Sequence, residues 1–168
     1  MHPRLLVIIA LGSNIGDSQG ILVRAMERLG EFSSRRLVKS SLWQTSPVDC
    51  PPGSPPFVNA VVGLTPQAGE TPESLLSKLL ELEKEFGRKP KLVHNEPRQL
   101  DLDLITFGQE IRVTKQLTLP HPRAHERRFV LQPLSEFAPG LVLPGQSKTV
   151  VQLLAGLNSR ENLLQLDL

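Results

Sequence analysis

The sequence predicts an α+β fold, a split β-α-β sandwich in which helices pack on one face of a mainly antiparallel sheet. Three observations carry that reading. Strand and helix signals run β-α-β and then β-α-β again, with a further helix start near Arg127. The chain has 168 residues, enough for one domain around one core at roughly 150 residues per domain. Its hydrophobic and charged fractions, 39% and 21%, are those of an ordinary globular chain and not of a disordered or strongly cationic one.

Each element has its own signal. Residues 5–11 (LLVIIAL) form an unbroken apolar run that ends at Gly12-Ser13-Asn14, the pattern of a buried strand entering a turn. Ile21, Leu22, Ala25, Met26 and Leu29 then recur at helical spacing until Gly30. Residues 37–43 (LVKSSLW) read as a second strand. It runs into residues 46–56, where Pro47, Pro51, Pro52, Pro55 and Pro56 force an irregular loop. Residues 57–64 (FVNAVVGL) read as a third strand. Thr71 and Pro72 supply the N-cap and first-turn proline of a helix, whose apolar face runs from Leu75 to Phe86 and stops at Gly87. A polar loop over 88–98 leads to a strand over 100–107 (LDLDLITF), and the segment FVLQPLSEF follows as a helix. No internal repeat or low-complexity stretch divides the chain, so one domain over 1–168 is expected.

Composition narrows the function classes. A formal net charge of +2 gives no support to bulk nucleic-acid binding. The longest apolar run is far short of the ~20 residues of a membrane-spanning helix. Arg4 before it imitates a signal peptide, but no small-residue cleavage site follows. One cysteine, Cys50, cannot form an internal disulfide, which fits a soluble protein of the reducing cytoplasm. Aromatic residues are scarce, with no Tyr and one Trp, so the place of each ring matters.

The sharpest chemical signal is LDLDL at 100–104. Alternate residues of a strand share a face, so Asp101 and Asp103 stand about 7 Å apart by strand rise while the leucines turn to the core. Hard carboxylate oxygens on a rigid strand suit Mg²⁺ held by few protein ligands plus substrate phosphates. A solvated strand face would carry the same pair. The flanking segments 88–98 and 121–128 decide between the two, because they hold seven of the nineteen Lys and Arg residues and three of the four histidines. An acidic pair between two cationic arms matches a polyphosphate whose charge redistributes during transfer.

Other motifs say less. LGSNIGD follows the first strand like a phosphate loop but lacks the Walker lysine and the GxGxxG spacing. His121 and His125 have a zinc-like separation, yet Pro122 interrupts any helix there and no third ligand is evident. Phe57, Phe129 and Asn59 suit a flat heterocycle, the rings by stacking and the amide by supplying donor and acceptor together; each is equally at home in a core or a turn.

Taken together, LGSNIGD, TSP at 45–47, FVNA at 57–60, ELEKEFGR at 81–88, EPRQLDLDLI at 96–105 and LPHPRAHERRFVLQPLSE at 119–136 resemble the 6-hydroxymethyl-7,8-dihydropterin pyrophosphokinase family of folate biosynthesis. The resemblance covers nearly the whole chain in family order. It implies a ferredoxin-like α+β fold, a monomer, and transfer of pyrophosphate from ATP to the pterin hydroxymethyl group with release of AMP. Carried over residue by residue, Asp101 and Asp103 would hold two Mg²⁺ ions, and Arg88, Arg98, His121 and Arg127 would meet the triphosphate. Glu83 would help bind ATP; Leu104, Leu117 and Thr118 would lie against adenosine. Phe57 and Phe129 would sandwich the pterin, with Thr45 and Asn59 reading its edge. The loops over 46–56 and 88–98 would close as lids. The chain departs from the family pattern at Pro90, Asn95, Glu96 and Gln116, where other members often carry Arg, Trp, Gly and Arg. A binding module of the same fold, without catalysis, is the alternative.

Overall fold

In the computed structural model, residues 6–45, 52–53, 55–87, 99–158 and 162–166 are described. Strand β1 (Val7–Ser13) is buried along its whole length. It pairs antiparallel with β4 (Phe57–Leu64) on one side and β5 (Asp101–Phe107) on the other. Strands β3 (Trp43–Thr45) and β8 (Leu163–Gln165) extend the sheet in the order β5-β1-β4-β3-β8, and β2 (Val38–Lys39) pairs with β4.

Helix α1 (Ser18–Gly30) starts at Asp17, whose side chain accepts the Gly20 amide at 3.2 Å. Helix α2 (Pro72–Glu85) starts with a reciprocal capping box between Thr71 and Ser74 and with Pro72 at its first turn. Both lay their apolar faces on the side of β1 that carries Val7, Ile9 and Leu11. The opposite side, with Ile8 and Ala10, is covered by α3 (Arg128–Ser135) and α4 (Val150–Ala155).

The expectation of helices on one face is thereby corrected: the sheet is covered on both. The reason is visible in β1 itself, since an unbroken apolar run cannot leave one face in water, whereas a half-exposed strand would alternate. The expected strand over 37–43 is also two strands. At the break, Ser40 Oγ accepts the Val61 amide at 2.9 Å while the Ser40 amide donates to the Val61 carbonyl at 2.9 Å, so a side chain stands in for part of the ladder. Beyond β5, a small hairpin of β6 (Arg112–Val113) and β7 (Thr118–Leu119) and a 3-10 turn over Ala124–Glu126 lead into α3. Among the described residues no helix is long and apolar enough to cross a membrane.

Candidate active site

The site is laid out by strand register. Asp101 on β5 lies opposite Gly12 on β1, Gly12 lies opposite Asn59 on β4, and Asn59 lies opposite Trp43 on β3. Directly paired residues share a face, so these four form one row across four strands. The neighbouring row is Asp103, Ala10 and Val61, and a third pair is Phe57 with Thr45. Ala10 and Val61 belong to the core beneath α3, which places all three rows on the α3 side of the sheet. Leu102 and Leu104 turn the other way and are buried against α1 and α2.

Gly12 makes the floor of this face. Its backbone is not among the positive-φ glycines, so space and not conformation calls for glycine here. A Cβ at this position would stand 3.1 Å from Asn59 Nδ2 and 3.7 Å from the Phe57 ring. Asn59 is itself fixed: the buried Thr45 hydroxyl donates to its Oδ1 at 2.6 Å, which turns Nδ2 over Gly12. Phe57 is half-buried at the floor, and half-buried Phe129 descends from the first turn of α3 with the Arg127 guanidinium 5.3 Å from its ring centroid.

Asp101 and Asp103 are neither buried nor fully exposed. The amide between them is held from the helix side, because the buried Glu83 carboxylate of α2 accepts the Leu102 N–H at 2.7 Å. Across the β5 edge, His121 donates its backbone N–H to the Ile105 carbonyl at 2.8 Å. This carbonyl belongs to the bulged part of β5, where the register against β1 shifts between Ile8 and Ile9. His121 Nδ1 accepts the Arg123 amide at 3.2 Å, leaving the ring hydrogen on Nε2 in the neutral form. Burial, then Arg127 and Arg123, push the imidazole below its ordinary range, with Asp101 opposing. These four charged or titratable groups therefore act on one another at one end of the floor.

The His121 shift has a sign that can be checked. A folded-state value below the ordinary ~6.5 means that the unfolded chain takes up a proton the folded one refuses, so stability is lost as pH falls through that range. His121→Gln is expected to flatten the fall in urea midpoint of the substrate-free protein between about pH 7 and 5.5. Equal slopes in variant and wild type would remove His121 as the cause.

The strands and α3 gather Asp101, Asp103, Thr45, Asn59, Phe57, Phe129, Arg127 and His121 on one side of the sheet, while Leu104, Leu117 and Thr118 lie at or beside the β5 edge. Thr118 is exposed on β7, and Leu117 is tied into the hairpin turn through Thr114. Arg88, Arg98, Pro90, Asn95, Glu96, Cys50 and most of both expected lids lie outside the described residues. Three further contributors are Gly12, which the sequence shows only within LGSNIGD, Arg123, which it shows only as one of the clustered cations of 121–128, and Trp43, which carries no chemical signature of its own. The lone tryptophan and the glycine that ends the first apolar run are the available signals.

Among the described residues, no group of three or more His, Cys, Asp or Glu side chains could hold a metal ion. The donor set on β5 is therefore two carboxylates on a rigid strand, which fits a hard cation completed by phosphate and water oxygens.

Residues 8–139 match the family model described as 7,8-dihydro-6-hydroxymethylpterin-pyrophosphokinase. The chain is 38% identical over 147 residues to the 2-amino-4-hydroxy-6-hydroxymethyldihydropteridine pyrophosphokinase of Synechocystis sp., covering 88% of this chain and 73% of that protein. It is 37% identical over 145 residues to the Haemophilus influenzae protein of the same name, covering 86% and 88% of the two chains. With the Bacillus subtilis protein, also of that name, the identity is 40% over 129 residues, covering 76% and 75%. A solved Plasmodium falciparum HPPK-DHPS with pteroate shares the fold at a TM-score of 0.67 and 13% identity, over 91% of this chain and 42% of that longer one. The ferredoxin-like α+β architecture is thus that of its relatives, and the chain belongs to the 7,8-dihydro-6-hydroxymethylpterin-pyrophosphokinase family.

Proposed function

We propose that this chain transfers the β,γ-diphosphate of ATP to the hydroxymethyl group of 6-hydroxymethyl-7,8-dihydropterin, releasing AMP, in keeping with the names of its relatives. The observation that carries the reading is the row Asp101, Gly12, Asn59: an acidic end suited to a metal-bound polyphosphate, joined across a glycine floor to an oriented amide suited to a heterocycle. Phe57 and Phe129 hold the flat ring by stacking, and Asn59, aligned by Thr45, reads its polar edge.

Asp101 and Asp103 would hold Mg²⁺, two ions by resemblance to the family, and the metal supplies charge neutralisation of the phosphates when bound. Neutral His121 offers its Nε2–H to a phosphate oxygen, and Arg127, with Arg88 and Arg98, meets the charge that develops on the leaving side. Adenosine lies by Leu104, Leu117 and Thr118 at the β5 edge. Glu83 supports ATP binding through its grip on the Leu102 amide. The substrate oxygen bonds to the β-phosphorus as the bond from that phosphorus to the α,β-bridging oxygen breaks. The electron pair departs with AMP and the hydroxyl proton passes to water. Both substrates held in line make positioning the main source of rate. One domain over the residues given and a monomeric, cytoplasmic enzyme complete the reading, the lone cysteine supporting a reducing compartment.

³¹P NMR of the protein with ATP, Mg²⁺ and the pterin tests it. AMP and a pterin diphosphate are expected, each dependent on metal and pterin. Formation of ADP or free phosphate overturns the reaction class, and intact ATP would return the noncatalytic binding module.

A further inference from the structure

Helix α3 carries Phe129 at its start and Glu136 at its end, roughly 10 Å apart at 1.5 Å per residue. Between them Val130, Leu131 and Leu134 are buried against the sheet. Such apolar packing is strong but non-directional, and it permits a short helix to slide or turn. The helix also contains Pro133, which has no N–H to give to the carbonyl four residues back, at Phe129. Directed bonds from outside the helix therefore add a fixed point that packing alone does not specify.

Glu136 makes those bonds. One carboxylate oxygen accepts the Trp43 indole N–H at 2.7 Å, and the other accepts the Ser41 amide and the Ser41 hydroxyl, each at 2.9 Å. Ser41 Oγ in turn accepts Gln165 Nε2 of β8 at 2.9 Å. Trp43 occupies the same row as Asn59, and Thr45 two residues on holds the Asn59 amide. One carboxylate at the end of α3 is thus bonded to the very strand that orients the floor.

We infer that Glu136 is a positioning residue for pterin binding: it sets the height and rotation of α3, and hence of Phe129, over Phe57 and Asn59. The inference rests on the pterin reading of that floor. Hydrogen bonds to a charged group are the stronger kind, and three of them converge here. Glu136, at the far end of the helix from Phe129, acts through that ring.

The test compares Glu136→Ala, Glu136→Gln and wild type. Pterin affinity is read by titrating the fluorescence of Trp43, the sole tryptophan, and KM and kcat are measured for both substrates. Glu136→Ala is expected to weaken pterin binding and raise pterin KM by about tenfold, with ATP KM and kcat within about twofold. Glu136→Gln keeps one acceptor oxygen and should recover part of the loss. Unchanged pterin affinity in Glu136→Ala overturns the inference while an active wild type leaves the proposed reaction standing. A uniform fall in all parameters together with the urea midpoint also overturns it, since that marks a merely structural tie. An inactive wild type that binds no pterin overturns the reading beneath it.

Discussion

Asp101→Asn and Asp103→Asn are each expected to lower turnover by at least about 10²–10³-fold, the range for removing one preorganised electrostatic group, with the fold intact. Neither side chain supports the core, which takes Leu100, Leu102 and Leu104 from this segment. Each faces a small residue across the ladder, Gly12 or Ala10, so the isosteric amide meets no clash. Steady-state rates over a range of Mg²⁺, with circular dichroism as the control for folding, check both halves. Near-normal turnover in both variants would end the metal assignment.

The second large effect is expected at Gly12, and it falls on binding far more than on stability. Glycine inside a strand costs about 0.5–1 kcal/mol relative to alanine, and Gly12 has no unusual backbone angle to excuse it. In Gly12→Ala that gain is set against the close contact with Asn59, so the urea midpoint is expected to change little. The added methyl group would meet Asn59 Nδ2 at 3.1 Å, and Asn59 cannot swing away without breaking its 2.6 Å bond with Thr45. An Asn59 amide pushed off the floor no longer meets the polar edge of the ring, and a bond lost in this way, at about 1–3 kcal/mol, corresponds to a loss of pterin affinity of roughly 5–150-fold. Gly12→Val should abolish measurable pterin binding. Direct titration of both ligands decides the matter: ATP affinity should hold, and an unchanged pterin affinity would show that the floor is not where the ring lies.

Local chemistry makes much of this fold legible from the amino acids alone. The strand at 57–64 and the proline-led helix after Thr71 announce themselves by β-branched residues and by capping, and both fall within a residue or so of expectation. LDLDL settles which residues of β5 point inward because strand alternation is a short-range rule. What escapes such reading depends on partners distant in sequence. Glu136 and Trp43 are separated by 93 positions, and nothing near either one announces the other. At Ser40 the strand breaks where its hydroxyl, in place of a main-chain carbonyl, accepts the Val61 N–H of β4, which the pattern LVKSSLW does not disclose. The covering of both sheet faces is in fact written in LLVIIAL, whose lack of alternation is the mark of a strand buried on two sides.

The grip of Glu83 on the Leu102 amide has a consequence for self-association. Among the described strands β5 is the outermost on its side of the sheet, and an outermost strand ordinarily offers its amides to any passing chain. Here one of those amides is occupied by an internal carboxylate, and the carbonyl of Ile105 is taken by His121. A second molecule seeking to add a strand would have to displace the buried Glu83 side chain and the segment that follows the β6–β7 hairpin. The strand that bears the acidic pair is thus closed to edge-to-edge aggregation, so Asp101 and Asp103 can face outward without recruiting a neighbour.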